Sequence, residues 1–235
     1  VSMAGRIGED GIWLKEVCQK YGVHTEEMII TECPTGKAII QVDTEGQNCI
    51  LLYAGANKEQ KQEDITKVLD HFEAGDYLFL QNEINEIPFL IGEGHKRNMK
   101  IVLNPSPFEL EIMNYGLDKI DWLILNEIEA EQMTGEKDPA KMLEKLQNIC
   151  PKAGIVLTFG VDGAMCIKDG KKHWQSSFAC KAIDTTAAGD TFTGYFFSEI
   201  MKNEEHIAEA LKIAARAASL TVSRQGAAES IPVYS

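Results

Sequence analysis

An α/β protein built on a mostly parallel β-sheet is the fold class that this 235-residue sequence predicts. The first observation is that short apolar runs, typical of buried parallel strands, alternate along the chain with amphipathic stretches typical of helices. The second is continuity, because no linker, low-complexity segment or internal repeat divides the chain. The third is placement: polar motifs fall where apolar runs end, and ligands of such sheets lie beyond the carboxyl ends of the strands. These observations predict a single domain over residues 1–235, with helices on both faces of the sheet.

The first quarter of the chain predicts a small β structure beside that sheet. An amphipathic helix is expected at 12–21, and Gly22 ends it as a C-cap. Three strands and one turn come next. They are predicted at 28–30, 36–42 and 48–53, with the turn at 43–46. Together these strands predict a β-hairpin, or lid, that projects from the main body at about residues 28–55.

The remaining chain alternates strands and helices. Apolar runs bounded by turn residues predict strands at 77–81, 100–103, 122–125, 155–158, 164–168 and 172–175. Amphipathic periodicity predicts helices at 64–72, 88–97, 127–133, 139–148, 191–201 and 207–220. The last two strands are expected to form a hairpin around the Asp-Gly turn at 169–170.

Composition and charge narrow the function classes. The chain is 44% hydrophobic and 25% charged, and its net charge of −13 argues against a surface for nucleic acid or an anionic membrane. No apolar run approaches the length of a transmembrane helix, and charges near the start argue against a signal peptide. The six cysteines show neither a CxxC pair nor metal-ligand spacing, so we expect reduced, mostly buried thiols and a cytoplasmic location.

The strongest functional signal is Asp-Thr-Thr-Ala-Ala-Gly-Asp-Thr-Phe at 184–192. Its small residues Ala187, Ala188 and Gly189 allow a tight turn, and a buried helix is predicted to follow. Such a turn presents unpaired backbone N–H groups and the positive end of the helix dipole, which together bind anions. Asp190 places a carboxylate in that anion site, where it is suited to accepting a proton. The alternative is an ordinary helix N-terminus with an aspartate near the cap.

Three weaker patterns follow other predicted strands. Asn126 and Glu129 offer oxygen atoms of the kind that hard cations prefer, although an Asn N-cap with an acidic first turn is the alternative. The glycines at 158–163 permit close backbone approach to a ligand, or form an ordinary turn. The Glu83 carboxylate can accept hydrogen bonds from two adjacent hydroxyls of a polyol, or it lies in a solvated loop.

Several other functions are excluded by missing motifs. The sequence contains no G-x-x-x-x-G-K-[ST] phosphate loop and no G-x-S-x-G nucleophile elbow. The five histidines are scattered, without metal-ligand or triad spacing.

The motif at 184–192 resembles the C-terminal signature of the ribokinase-like (PfkB) carbohydrate kinases. Further consecutive matches are Thr-Gly-Lys-Ala at 35–38, Gly-Ala-Asn at 55–57 and Leu-Asn-Pro-Ser-Pro at 103–107. The resemblance covers almost the whole chain and implies a three-layer α/β sandwich with a small β lid. It also implies ATP-dependent phosphorylation of a sugar hydroxyl, with ribose converted to ribose 5-phosphate as the favoured reaction.

The resemblance also assigns roles to individual residues. Asp190 is expected to be the general base and to contact the sugar. The backbone of Ala187, Ala188 and Gly189 is expected to form an anion hole. Glu83 is expected to bind the sugar. The expected nucleotide-binding residues are Asn126, Thr158, Gly160, Gly163 and Ala215. Glu129 is expected to hold Mg²⁺ through water. A monovalent cation, K⁺, is expected at Asp184, Thr186, Thr221, Arg224, Gly226 and Ser230.

The beginning of the chain departs from the family pattern. The family has a first strand, two more lid strands and a Gly-Gly sugar-binding segment before the point that matches Val1. We therefore expect an N-terminally truncated kinase with a partial lid, which binds nucleotide far better than sugar and has weak or no kinase activity. A nucleotide-binding or regulatory relic of the fold is the alternative, as is a kinase for another small sugar or a nucleoside. The family's lid often mediates dimers, so a homodimer through the lid is a further expectation.

Overall fold

The computed structural model of the chain describes residues 1–42 and 48–233. Two compact units divide it: the first is Val1–Ile101 with Glu111–Gly116, and the second is Val102–Leu110 with Leu117–Ser235. The α-helices within the described residues are α1 (Ile12–Lys20), α2 (Gln62–Leu69), α3 (Ile87–Lys96), α4 (Glu127–Thr134), α5 (Pro139–Ile149), α6 (Ala188–Ile200) and α7 (Ile207–Val222). The strands are β1 (Gly5–Gly8), β2 (Met28–Thr31), β3 (Lys37–Val42), β4 (Asn48–Tyr53), β5 (Tyr77–Gln81), β6 (Lys100–Asn104), β7 (Trp122–Asn126), β8 (Gly154–Thr158), β9 (Ala164–Lys168) and β10 (Lys171–Gln175).

The main sheet has six strands in the order β10-β9-β8-β7-β6-β5. Strands β6, β7 and β8 run parallel to one another, whereas β9 pairs antiparallel with β8 and β10 pairs antiparallel with β9, so the sheet is mixed. The predicted hairpin around 169–170 is therefore the outer edge of this sheet. The centre of the sheet is apolar because β7 and β8 are buried over nearly their whole length. The predicted α/β class is confirmed.

The lid differs in extent from the prediction of about residues 28–55. Strands β3 and β4 form an antiparallel hairpin in which Lys37 pairs with Tyr53. Strand β2 does not join them, because it pairs in parallel with β1, with Gly5 opposite Met28. The hairpin is thus limited to β3 and β4, and its predicted turn at 43–46 lies outside the described residues.

Two chain segments, residues 8–11 and 35–37, cross at the base of the hairpin. Asp10 Oδ1 accepts hydrogen bonds from the Thr35 N–H and the Thr35 hydroxyl, at 2.9 and 2.8 Å, and Asp10 Oδ2 lies 2.7 Å from Lys37 Nζ. The Lys37 ammonium, followed by the two Thr35 donors, holds the pKa of the Asp10 carboxyl well below its usual range. Thr35 Oγ1 also accepts a hydrogen bond from the Gly8 N–H, at 2.9 Å. A Cβ on Gly11 would lie only 2.2 Å from that hydroxyl oxygen, so the crossing requires glycine there.

The second unit is held together by aromatic packing. Trp122 of β7 is fully buried, and its ring lies edge-on against Phe196 and Phe197 of α6, with centroid distances of 5.7 and 5.6 Å. The Lys168 ammonium lies 4.3 Å from the centroid of the same ring. Helix α6 packs on α7, and α7 packs on β9 and β10.

The cysteines are less uniformly buried than expected. Cys150 and Cys166 are buried, Cys18 and Cys33 are half-buried, and Cys180 is exposed. Burial raises the pKa of both the Cys150 and the Cys166 thiol to about 12. Within residues 1–42 and 48–233, no helix has the length and apolar character needed to cross a membrane.

Candidate active site

The loop that leads into α6 has the geometry of an anion site. Ala187 is the N-cap residue in the left-handed conformation, with φ 60° and ψ 11°, and its side chain provides no cap. Helix α6 begins at Ala188, three residues before the predicted start, so Asp190 lies in its first turn. Among the described residues, the N–H groups of Gly189 and Asp190 have no backbone acceptor. Both residues are exposed and no atom lies within 4 Å of a Cβ built on Gly189, so a ligand can approach.

The left-handed conformation of Ala187 leads to a testable prediction about the free energy of unfolding. Replacing Ala187 by Gly should raise the free energy of unfolding by about 1 kcal/mol, because a left-handed L-residue costs roughly 1–2 kcal/mol and the freedom of glycine offsets part of that gain. The matched control is Ala188→Gly within α6, which should lower the free energy of unfolding by about 0.5–1 kcal/mol. Urea unfolding of both variants measures the two effects, and shifts in the same direction would contradict the prediction.

The Asp184 carboxylate ties this loop to the turn after α7. Its Oδ1 accepts the Thr186 N–H at 2.9 Å, and its Oδ2 accepts the Gly226 N–H at 3.1 Å. Hydrogen bonds from Thr186, followed by the one from Gly226, lower the pKa of Asp184 below its usual value. The structure therefore brings together three of the six residues expected at the monovalent cation.

The other three residues of that set lie in or beside the same turn. The Thr221 side chain is buried and its Oγ1 lies 3.1 Å from Thr191 Oγ1. Arg224 Nη1 donates to the Ser230 carbonyl at 3.3 Å, and the buried Ser230 hydroxyl donates to the Ala227 carbonyl at 2.7 Å. These contacts use side chains to fix a turn, which leaves backbone carbonyls as the groups suited to a cation.

Asn126 and Glu129 form a complete capping box at the start of α4. Asn126 Oδ1 accepts the N–H groups of Ile128 and Glu129, both at 2.9 Å, while Glu129 Oε2 accepts the Asn126 N–H at 3.0 Å. Glu129 is buried, and one of its carboxylate oxygens is committed to the cap. The structure thus contains the helix cap that the sequence offered as the alternative. The other carboxylate oxygen of Glu129 is still available to hold a metal through water.

The two glycines of the loop at 158–163 differ in what surrounds them. Gly160 has φ +53° and no atom within 4 Å of an added Cβ, so its backbone is open to a ligand. Gly163 has φ +124°, and an added Cβ would lie 2.1 Å from the Gln175 carbonyl oxygen. Gly163 is required by the close approach of β10. Thr158, the last residue of β8, is half-buried.

The two other predicted residues lie apart from that loop. Glu83 belongs to the first unit, where it is exposed directly after β5 and the buried Asn82. Ala215 is buried in the middle of α7, with only 7% of its surface exposed. Their expected contacts with sugar and adenine stay predictions.

Two features of the second unit escaped the sequence reasoning. The Thr191–Thr221 hydroxyl contact links the first turn of α6 to α7, and no local pattern indicates such a long-range pair. Ile183, next to Asp184, is 63% exposed, and its N–H donates to the Val222 carbonyl at 2.7 Å.

Comparison with known proteins agrees with this geometry. A model described as pfkB family carbohydrate kinase matches residues 1–233. The ribokinase of Staphylococcus aureus (strain COL) is 35% identical over 97% of this chain and 78% of its own length. The crystal structure of ribokinase from Thermotoga maritima has a TM-score of 0.83 at 32% identity, covering 98% of this chain and 77% of that one. Arabidopsis thaliana ribokinase, solved with ribose and ATP, has a TM-score of 0.83 at 28% identity, covering 98% and 78%.

The mixed sheet and the small-residue loop before α6 define an α/β protein of the ribokinase-like fold. The chain belongs to the PfkB family of carbohydrate kinases.

Proposed function

We propose that the protein phosphorylates ribose at the expense of ATP and forms ribose 5-phosphate. The observation that carries the proposal is the exposed Asp190 carboxylate in the first turn of α6, beside backbone N–H groups without backbone acceptors among the described residues. The choice of ribose and ATP is supported by the Arabidopsis relative, a ribokinase solved with both molecules.

The proposed reaction uses this loop in two ways. Asp190 takes the proton from the sugar hydroxyl as its oxygen attacks the γ-phosphorus of ATP, and ADP leaves. The N–H groups from Ala187 to Asp190 stabilise the negative charge on the transferring phosphoryl group. The open backbone at Gly160, with Asn126 and Thr158 at the ends of β7 and β8, is the proposed nucleotide side. Gly163, in the same loop, is proposed to bind the nucleotide as well.

The ions in the proposal fit the residues present. In the described part of the chain, no group of three or more His, Cys, Asp and Glu side chains is placed to hold a metal. Mg²⁺ suits this arrangement, because it keeps several waters and needs only one or two carboxylates besides the phosphates. Glu129 would hold it through water, and when bound it would neutralise charge on the phosphates. K⁺ would be held by carbonyls around Asp184, Thr186 and Gly226, and would order the anion loop.

Two further proposals concern the state of the protein. A homodimer through the hairpin is supported by the exposed side chains of Ile39, Leu51 and Leu52 on β3 and β4. A cytoplasmic location is supported by the free thiols among the described residues, which include the exposed Cys180.

The decisive experiment measures ADP release with ribose, fructose or adenosine as the acceptor, in the presence of Mg²⁺ and either K⁺ or Na⁺. We expect the highest kcat/KM with ribose and a faster reaction in K⁺. ATP binding without ADP release for any acceptor would instead support a nucleotide-binding relic. A higher kcat/KM with fructose or adenosine would reassign the substrate.

A further inference from the structure

We propose that Asn85 is a positioning residue for sugar binding, and that it acts by fixing the short segment that carries Glu83. The inference rests on the proposed ribose kinase function and on the expectation, implied by the family resemblance, that Glu83 contacts the sugar. The segment, residues 82–86, joins β5 to α3 within the first unit. Glu83 is exposed, whereas its neighbours on both sides are tied to the body of that unit.

The carboxyl-terminal side of the segment is held by a reciprocal pair of hydrogen bonds. Asn85 Oδ1 accepts the Gln60 N–H at 2.9 Å, and Asn85 Nδ2 donates to the Gln60 carbonyl at 2.9 Å. The Asn85 side chain therefore pairs with the Gln60 backbone as a neighbouring strand would. Two weaker bonds support it: the Asn85 N–H donates to the Asn57 carbonyl at 3.4 Å, and Lys58 Nζ donates to the Ile84 carbonyl at 3.3 Å.

The amino-terminal side is held by burial. Asn82 is 4% exposed, and its Oδ1 accepts a hydrogen bond from the Tyr115 hydroxyl at 3.1 Å. Glu83 therefore lies between two anchors, Asn82 and the Ile84–Asn85 pair. These anchors fix the backbone position from which the Glu83 side chain extends, and a ligand contact benefits when its backbone is preorganised in this way.

The backbone at Glu86 gives independent support. Glu86 caps α3 in the left-handed conformation, with φ 64° and ψ 18°, which is uncommon for a residue other than glycine. Such conformations persist where the surrounding contacts over-determine the backbone, and they cluster at ligand sites. The Asn85 clamp directly precedes this residue and is one of the contacts that hold the segment in its shape, together with the hydrogen bond from Gln62 Nε2 to Glu86 Oε2 at 2.7 Å.

The clamp also connects the segment to the base of the hairpin. Gln60 lies just after a short 3-10 helix, Gly55–Lys58, which follows β4 in the chain. The Ala56 N–H in that 3-10 helix donates to the Pro34 carbonyl at 2.9 Å. One continuous stretch of backbone thus holds both the hairpin base and the Glu83 segment. Two side chains join them, Asn85 through the Gln60 backbone and Lys58 through the Ile84 carbonyl.

The test is a double-mutant cycle on the full chain, read out as kcat and as separate KM values for ribose and ATP. We expect Asn85→Ala to raise the KM for ribose by roughly three- to tenfold, the factor that corresponds to one lost hydrogen bond, with the KM for ATP unchanged. Asn85→Asp should do the same, because it keeps the acceptor but places a carboxylate oxygen against the Gln60 carbonyl. The matched control is Asn203→Ala, an exposed asparagine whose side chain accepts only the local Glu205 N–H at 2.9 Å and donates to His206.

The cycle separates positioning from a general loss of structure. If Asn85 acts through Glu83, the variant with both Asn85→Ala and Glu83→Gln should have the same KM for ribose as Glu83→Gln alone. Additive effects, equal rises in the KM for ribose and ATP, or no effect of Glu83→Gln would each overturn the inference while ribose phosphorylation stands. Absence of ribose-dependent ADP release by the unmodified chain would overturn the proposed function, and this inference with it.

Discussion

Asp190→Asn is expected to slow ribose-dependent ADP release by about 10²–10⁴-fold, the usual contribution of a positioned general base. The amide keeps the size of the side chain, and the first turn of α6 keeps its open N–H groups, so ATP affinity should change little. What is lost is the ability to accept the proton from the attacking hydroxyl. Steady-state kinetics gives the rate, and calorimetric titration gives the affinity for ATP.

The matched control for this variant is Asp169→Asn. Asp169 is an exposed residue at the turn between β9 and β10, with a left-handed φ of 49° that asparagine also tolerates. The same change of chemistry there should leave the rate unaltered. If Asp190→Asn phosphorylated ribose as fast as the unmodified protein, Asp190 would not be the base.

Trp122→Ala is expected to have the largest effect on stability, lowering the free energy of unfolding by about 3–5 kcal/mol. The indole is fully buried between Phe196, Phe197 and the Lys168 ammonium, so its removal leaves a cavity that these neighbours cannot fill. The position of a Cβ on Gly154 is already occupied by the ring, at 2.4 Å. Urea unfolding midpoints measure the loss.

Two further variants make this prediction specific. Trp174→Ala removes the same side chain from a half-exposed position beside Phe159, and it should cost far less. Trp122→Phe should also cost less than Trp122→Ala, since it keeps most of the packing and removes a buried Nε1–H that has no hydrogen-bond partner in the described structure. Equal losses for Trp122→Ala and Trp174→Ala would show that burial does not control the effect.

Local signals were sufficient for the elements of the main sheet. The strand β7 and the helix α4 could be predicted together, because an apolar run followed by an Asn cap and a Glu three residues later specifies both ends of the junction. The tight turn before α6 was predictable for the same reason, since three small residues precede the apolar face of a helix. What these patterns shared was that all their determinants lie within a few residues of one another.

Long-range contacts were the part that the sequence could not supply. Strand β2 was assigned to the lid together with β3 and β4, and its actual partner is β1, in which Gly5 pairs with Met28 far along the chain. Gly163 was expected to bind the nucleotide, and nothing in the local sequence indicated that an added Cβ there would lie 2.1 Å from the Gln175 carbonyl oxygen of β10. The start of α6 was placed too late, because a left-handed alanine at the N-cap leaves no mark in the sequence.

The crossing at the base of the hairpin has a consequence for how this protein can evolve. A methyl group at Gly11 would collide with the Thr35 hydroxyl. A relative with alanine at position 11 is therefore expected to carry a smaller residue at position 35. That change would remove both the hydroxyl donor to Asp10 and the acceptor of the Gly8 N–H. Substitutions at positions 8, 10, 11 and 35 are therefore expected to be correlated among relatives.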